Sequence, residues 1–225
     1  MPDAFTGTLA GYQFDGVRWM LEQLGNRGGC VLADEPGLGK TAQALAVVST
    51  LVARGATRVL VVAPAHVLKV WAAEAAKFVE VDGARGAFRI VVAADPSSER
   101  VAGKSLVTAE KLFAKLADSP AAPLVVAMSY GQVQLHGQGF AVSGAMLDAL
   151  VLDKAHRVKN ASSQTAIAVA QLPSRRHLLL SATPVTNELE ELRAVNEGAR
   201  AATAGPTAAP AAPGPARGAG PTAAP

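Results

Sequence analysis

The residues Ala33-Asp34-Glu35-Pro36-Gly37-Leu38-Gly39-Lys40-Thr41 carry the side chains best suited to bind an oligophosphate. Gly37 and Gly39 let the backbone turn tightly and aim N–H groups at phosphate oxygens. Lys40 can reach β- and γ-phosphates, and the Thr41 hydroxyl can ligate Mg²⁺. An apolar run, Cys30 to Ala33, comes before the loop, and an amphipathic helical run from Thr41 to about Val52 follows it. This is the order of strand, glycine-rich loop and helix, and the helix adds its positive dipole end at the phosphates. The general pattern G-x-x-x-x-G-K-[ST] wants glycine at position 34, where this chain has Asp34.

Two further clusters could do chemistry. Leu150-Val151-Leu152-Asp153 reads as a strand ending on an acid, with Lys154 and His156 just beyond it. His177-Leu178-Leu179-Leu180 reads as a strand leading into Ser181-Ala182-Thr183. Cysteine and histidine show no spacing that implies zinc.

The elements around these clusters alternate between strand and helix. Leu9 to Leu24 is an amphipathic helix with Phe14, Val17, Leu21 and Leu24 on one face, and core packing accounts for Tyr12 and Trp19. Val59 to Ala63 is a continuous apolar strand, followed by a helix over Val67–Phe78 whose apolar side is Val67, Val70, Trp71, Ala75 and Phe78. Arg89–Ala93 and Leu124–Met128 are strands, Asp95–Gly103 is a polar loop, and Thr108–Ala117 and Ser162–Leu172 are helices. Gly131 to Gly144 is glycine-rich and shows no clear period. Asn187-Glu188-Leu189-Glu190 has capping-box spacing. The expected fold is therefore α/β, a parallel sheet with helices on both faces, in which ligands gather at the carboxyl ends of the strands. The loop after Ala33, Asp153 and the turn at Ser181 all fall at such ends.

Half of the 225 residues are hydrophobic, enough for one substantial core, and the net charge is only +3. That charge permits nucleic-acid binding without arguing for it. The single cysteine, Cys30, excludes an intrachain disulfide framework and reads as a small buried hydrophobe. No secretion signal or membrane span is evident, so a cytoplasmic location is expected, with nucleoid association if the chain binds DNA. Residues 1–198 form the expected ordered unit. From about Ala199 only Ala, Gly, Pro, Thr and two arginines remain, and residues 199–225 are expected to be a disordered tail.

From about Leu9 to Leu192 the motifs, in order, resemble the first RecA-like motor lobe of the Swi/Snf-type DNA translocases, within the superfamily-two helicase-like ATPases. Leu9–Met20 resembles the glutamine motif, in which Gln13 would contact adenine. Asp34–Thr41 resembles motif I, where an acid commonly replaces the first glycine; Asp34, Gly37, Leu38, Gly39, Lys40 and Thr41 would then hold ATP. Pro36, where methionine is common, is a small departure. Val59 to Glu74 is similar to motif Ia, which tracks the DNA backbone. Met128-Ser129-Tyr130 looks like the strand and turn before motif II. Asp153-Lys154-Ala155-His156, followed by Arg157-Val158-Lys159-Asn160, resembles the DEAH-type motif II, with Asp153 on Mg²⁺. Leu179–Pro184 and Asn187–Leu192 resemble motif III, where Ser181, Ala182 and Thr183 would couple to the nucleotide site through His156. The resemblance implies ATP and Mg²⁺ as cofactors and double-stranded DNA as a partner.

Two departures bear on the mechanism. The family has glutamate where this chain has Lys154. That carboxylate orients and deprotonates the attacking water, and a charged lysine cannot accept the proton. Loss of a general base costs about 10²–10⁴-fold in rate. A one-base codon change or read error, a binding-only protein, and a substitute base such as Glu35 are the three accounts of Lys154. The second departure is that nothing after Leu192 reads as a second lobe. A frameshift, a truncation or a linker to a separate second-lobe chain would each explain the change in composition. The expectation is a lobe that binds ATP weakly and hydrolyses it very slowly. The alternative is a catalytically silent nucleotide-binding module that regulates or scaffolds a partner. A small-molecule phosphoryl-transfer enzyme would need an acceptor site, and Gly131 to Gly144 is the one unassigned place for it.

Overall fold

The computed structural model describes residues 2–80, 84–94, 107–118, 120, 122–158 and 160–182. The chain runs α1 (Gly11–Asn26), β1 (Gly29–Leu32), α2 (Lys40–Ala53), β2 (Arg58–Ala63), α3 (Leu68–Phe78), β3 (Ile90–Val92), α4 (Ala109–Ala117), β4 (Leu124–Ser129), α5 (Tyr130–Val142), β5 (Ala149–Asp153), α6 (Gln164–Ala170) and β6 (His177–Leu180). Short 3₁₀ turns, Ala65–Val67 and Ala155–Val158, follow β2 and β5. The six strands form one sheet in the order β1-β6-β5-β2-β4-β3, and every pairing is parallel. The expected strands, and the helices on both faces, are thus present.

The continuous apolar runs follow from burial on both sides of the sheet. In β2, Val59, Val61 and Ala63 point into one core with α1, α2 and α3. Leu60 and Val62 point into the other, with α4, α5 and α6. Strands β4, β5 and β6 split their side chains the same way, as the two-residue strand period demands.

Several expectations need correction. The buried face of α1 is Val17, Met20 and Leu24, whereas Phe14 is 45% exposed. Phe14 lines a shallow surface groove with Pro2, Arg18 and Arg54, at the margin of the α1–α2 contact. Tyr12 and Trp19 do not pack in the core; they are 53% and 44% exposed and lie seven residues apart on the outer face of α1. On α3 the buried positions are Leu68, Trp71 and Ala75, and Val70 is half exposed.

Gly131–Gly144 falls almost entirely in α5. Ser129 caps that helix: its Oγ accepts from Gln132 N–H, while the Gln132 side chain accepts from Ser129 N–H. Gly137 is buried against Leu172, just past the end of α6, whose Cδ2 a Cβ there would meet in ordinary contact at 3.4 Å. A packed helix replaces the unassigned stretch in which an acceptor site could have lain. Cys30 is buried as expected. The Asp95–Gly103 loop, Lys159, Thr183, the capping box at Asn187 and the tail from Ala199 lie outside the described residues.

Candidate nucleotide-binding site

The strand order explains why three sequence clusters distant in the chain become neighbours. Strands β1, β6 and β5 lie side by side, so their carboxyl ends present the phosphate loop, Ser181 and Asp153 along one edge. Leu32 and Asp153 both pair with Leu180, one from each side. Two strand spacings separate them, roughly 10 Å. The Ser181 N–H donates to Leu32 O at 3.0 Å and closes the row.

A cavity of about 650 Å³ opens at this edge. Gln13, Gly37, Gly39, Lys40, Thr41, Asp153, Lys154, His156, Ser181 and Ala182 all line it. Asp34 and Leu38 do not; they brace the loop from behind. The Leu38 carbonyl accepts from Gln13 Nε2 at 3.1 Å and from Gln43 Nε2 at 3.3 Å. Gln43 Nε2 also donates to Asp34 Oδ2 at 3.0 Å. The acid at position 34 thus has a structural task that glycine could not perform. The other end of the Gln13 amide accepts from Ala10 N–H at 2.9 Å. Glu35, the substitute base considered above, is exposed and does not line the cavity.

The loop has the form of a phosphate cradle. Gly37 and Gly39 have φ of 88° and 75°, values that favour glycine. A Cβ at Gly39 would also run into the Gln13 amide. Gly39 is the N-cap of α2, and no side chain caps the helix, so its first N–H groups remain available to an anion. Lys40 Nζ donates to the carbonyls of Asp34 and Glu35 at 2.6 and 2.9 Å. An ammonium has three donors, which leaves one for a ligand.

Asp153 is held from two sides. Trp71 Nε1–H, from the fully buried face of α3, donates to Asp153 Oδ2 at 2.9 Å. The Tyr130 hydroxyl donates to the Asp153 carbonyl at 2.8 Å. Lys154 then takes φ of 54°, the one positive φ outside glycine among the described residues. Such a conformation costs about 1–2 kcal/mol in an L-residue. The turn that follows sustains it, with Arg157 N–H on Lys154 O at 3.1 Å and Ala155 and Val158 buried. The Lys154 side chain is exposed and faces the cavity beside Asp153.

Sequence reading missed three contributors. Trp71 was expected only as an apolar contact, and its partner lies 82 residues away. Gln43 is a fully buried amide in an otherwise apolar stretch of α2, which is itself a signal of a polar task. Glu74, Val67, Val70 and Phe78 make α3 one wall of the cavity, which explains why Val70 does not enter the core. Among the described residues, no group of three or more His, Cys, Asp or Glu could hold a metal. No described helix is long and apolar enough to cross a membrane.

Known proteins resemble this chain in sequence and in fold. The SNF2-related domain family matches residues 12–196. The DNA repair and recombination protein RAD54 of Oryza sativa subsp. japonica is 33% identical over 187 residues, covering 80% of this chain and 17% of that protein. Protein CHROMATIN REMODELING 25 of Arabidopsis thaliana is 31% identical over 200 residues, covering 83% of this chain and 20% of that protein. The chain therefore spans about a fifth of the length of these relatives. Among solved structures, the Sulfolobus solfataricus SWI2/SNF2 ATPase core in complex with dsDNA superposes with a TM-score of 0.62 at 26% identity, over 87% of this chain and 36% of that one. With the family match running from α1 past Ser181, the chain belongs to the SNF2-related domain family and corresponds to a first, RecA-like lobe of a Swi/Snf-type ATPase core.

Proposed function

We propose that this chain is the ATP-binding lobe of a Swi/Snf-type, DNA-dependent ATPase in which Lys154 suppresses the hydrolytic step. The observation that carries the reading is the placement of Lys154 beside Asp153, in the same cavity as an intact phosphate cradle. Residues present fit a nucleoside triphosphate: left-handed glycines, an uncapped helix N-terminus and Lys40 converge on one wall. Val67, Val70 and Phe78 offer an apolar surface near Gln13 for a base. Gln13 keeps a second Nε2–H and a second Oε1 lone pair for adenine beside its bonds to Leu38 O and Ala10 N–H. Thr41 and Asp153 are the side chains at which Mg²⁺ carried in with the phosphates would sit, and the Lys154 ammonium beside Asp153 disfavours a divalent cation there.

Binding and turnover make different demands on these residues. Lys40, the loop amides and Thr41 bind and orient the phosphates. Hydrolysis additionally needs an acceptor for the proton of the attacking water, and the Lys154 ammonium is not one. His156 and Ser181 lie on the cavity wall where they would relay the state of the site toward Thr183. Duplex DNA is the proposed macromolecular partner, met by the exposed surface that begins at His66 and Lys69. A DNA-associated location follows from that partner.

The same placement of Lys154 favours a second reading, a catalytically silent module that regulates or scaffolds a partner protein. Partner capture that ignores Lys40→Ala would select it.

Lys40→Ala tests the cradle. It removes one charge-assisted donor to phosphate, worth about 1.5–3 kcal/mol, so ATP affinity should fall by roughly one to two orders of magnitude. Calorimetric titration with ATP measures this. An unchanged affinity would move the nucleotide away from this loop.

A further inference from the structure

Among the described residues, four charged side chains line the cavity and bear on any anion within it. Lys40 and Lys154 are cations; Glu74 and Asp153 are carboxylates. His156 completes the set of titratable groups among the described residues of the wall. The Lys154 ammonium has no hydrogen bond or ion pair to a described residue, and it projects from the turn directly after the one acid placed to hold a metal ion. One oxygen of that acid, Asp153 Oδ2, also accepts from Trp71 Nε1–H, which leaves the carboxylate one lone pair fewer for a metal ion. A divalent ion at Asp153 would meet its remaining lone pairs, the Thr41 hydroxyl and a neighbouring ammonium that repels it.

We infer that this site takes nucleoside triphosphate without a divalent cation, the Lys154 ammonium supplying the charge that Mg²⁺ otherwise supplies. This rests on the nucleotide-binding reading above. The charge balance of the wall is the reason. Among the described residues two cations offset two carboxylates, so a triphosphate meets a wall with no net negative charge of its own. Glutamate at position 154 would leave one cation against three carboxylates. A tetra-anionic triphosphate could enter such a cavity only with its charge reduced by a metal ion. Lysine suits the role because its ammonium is a compact point charge on a flexible stem, able to settle against a phosphate oxygen.

The test is calorimetric titration of the unmodified chain, Lys154→Glu and Lys154→Ala with ATP, each in excess Mg²⁺ and in excess EDTA. The expected result is that the unmodified chain changes affinity by less than about threefold between the two conditions, while Lys154→Glu loses at least about tenfold in EDTA. Lys154→Ala should fall between them, separating loss of the ammonium from gain of a carboxylate. If the unmodified chain loses as much as Lys154→Glu on removal of Mg²⁺, the inference is overturned and nucleotide binding stands. If the unmodified chain binds ATP under neither condition, the nucleotide-site reading falls with it.

Discussion

Lys154→Glu is expected to raise ATP turnover by about 10²–10⁴-fold over the unmodified chain, measured as phosphate release with Mg²⁺ and duplex DNA present. The substitution converts a fixed cation next to Asp153 into a carboxylate able to accept a proton from water. It leaves the cradle untouched, since Lys40, Thr41 and the loop glycines lie on other elements. The backbone at this position is already left-handed, with φ of 54°, and glutamate bears the same strain as lysine there. Lys154→Gln is the control, because an amide removes the positive charge without providing a base. Turnover that rises equally in the glutamine variant would assign the block to charge alone and exclude a missing base.

Trp71→Phe should cost about 2–4 kcal/mol of stability, read from urea unfolding. Trp71 is fully buried, and its ring fills the core between α3 and the sheet. Its N–H is also the donor to Asp153 Oδ2 at 2.9 Å. Phenylalanine leaves part of the ring volume empty and removes a hydrogen bond to a charged acceptor, a class worth about 1.5–3 kcal/mol. Asp153 is only partly buried, so water recovers some of this, which sets the lower end of the range. A loss below about 1 kcal/mol would show that the hydrogen bond contributes nothing and that Trp71 acts by volume alone. The bond also ties α3, the helix that begins beside the proposed DNA-facing surface, to the acid of the nucleotide cavity.

Much of this architecture was legible from local chemistry. Strands such as Val59–Ala63 announce themselves because burial on both faces removes any need for alternation. The loop at Gly37–Thr41 is legible because left-handed turns and phosphate contacts admit few residue types. Gly131–Gly144 was not legible, because four glycines in fourteen residues obscure an apolar period, and only the Ser129–Gln132 capping box marks the helix. Phe14, Trp19 and Val70 show a second limit. Helical spacing says which residues share a face but not how far the neighbouring element extends to cover it. The double duty of Trp71 belongs to a third class: its partner is set by the crossover that brings β5 beside β2, which no local pattern encodes. The brace from Gln13 and Gln43 onto Leu38 O depends on the same long-range placement of α1 against α2.

The central claim is that the chain holds ATP without cleaving it. The most direct measurement holds the unmodified chain with γ-labelled ATP and duplex DNA, reads bound label by equilibrium dialysis with free nucleotide present, and follows release of labelled phosphate over time. The account predicts saturable binding of one equivalent of nucleotide that is recovered as intact ATP, and that is weakened in Lys40→Ala. Recovery of ADP with rapid release of labelled phosphate would contradict it.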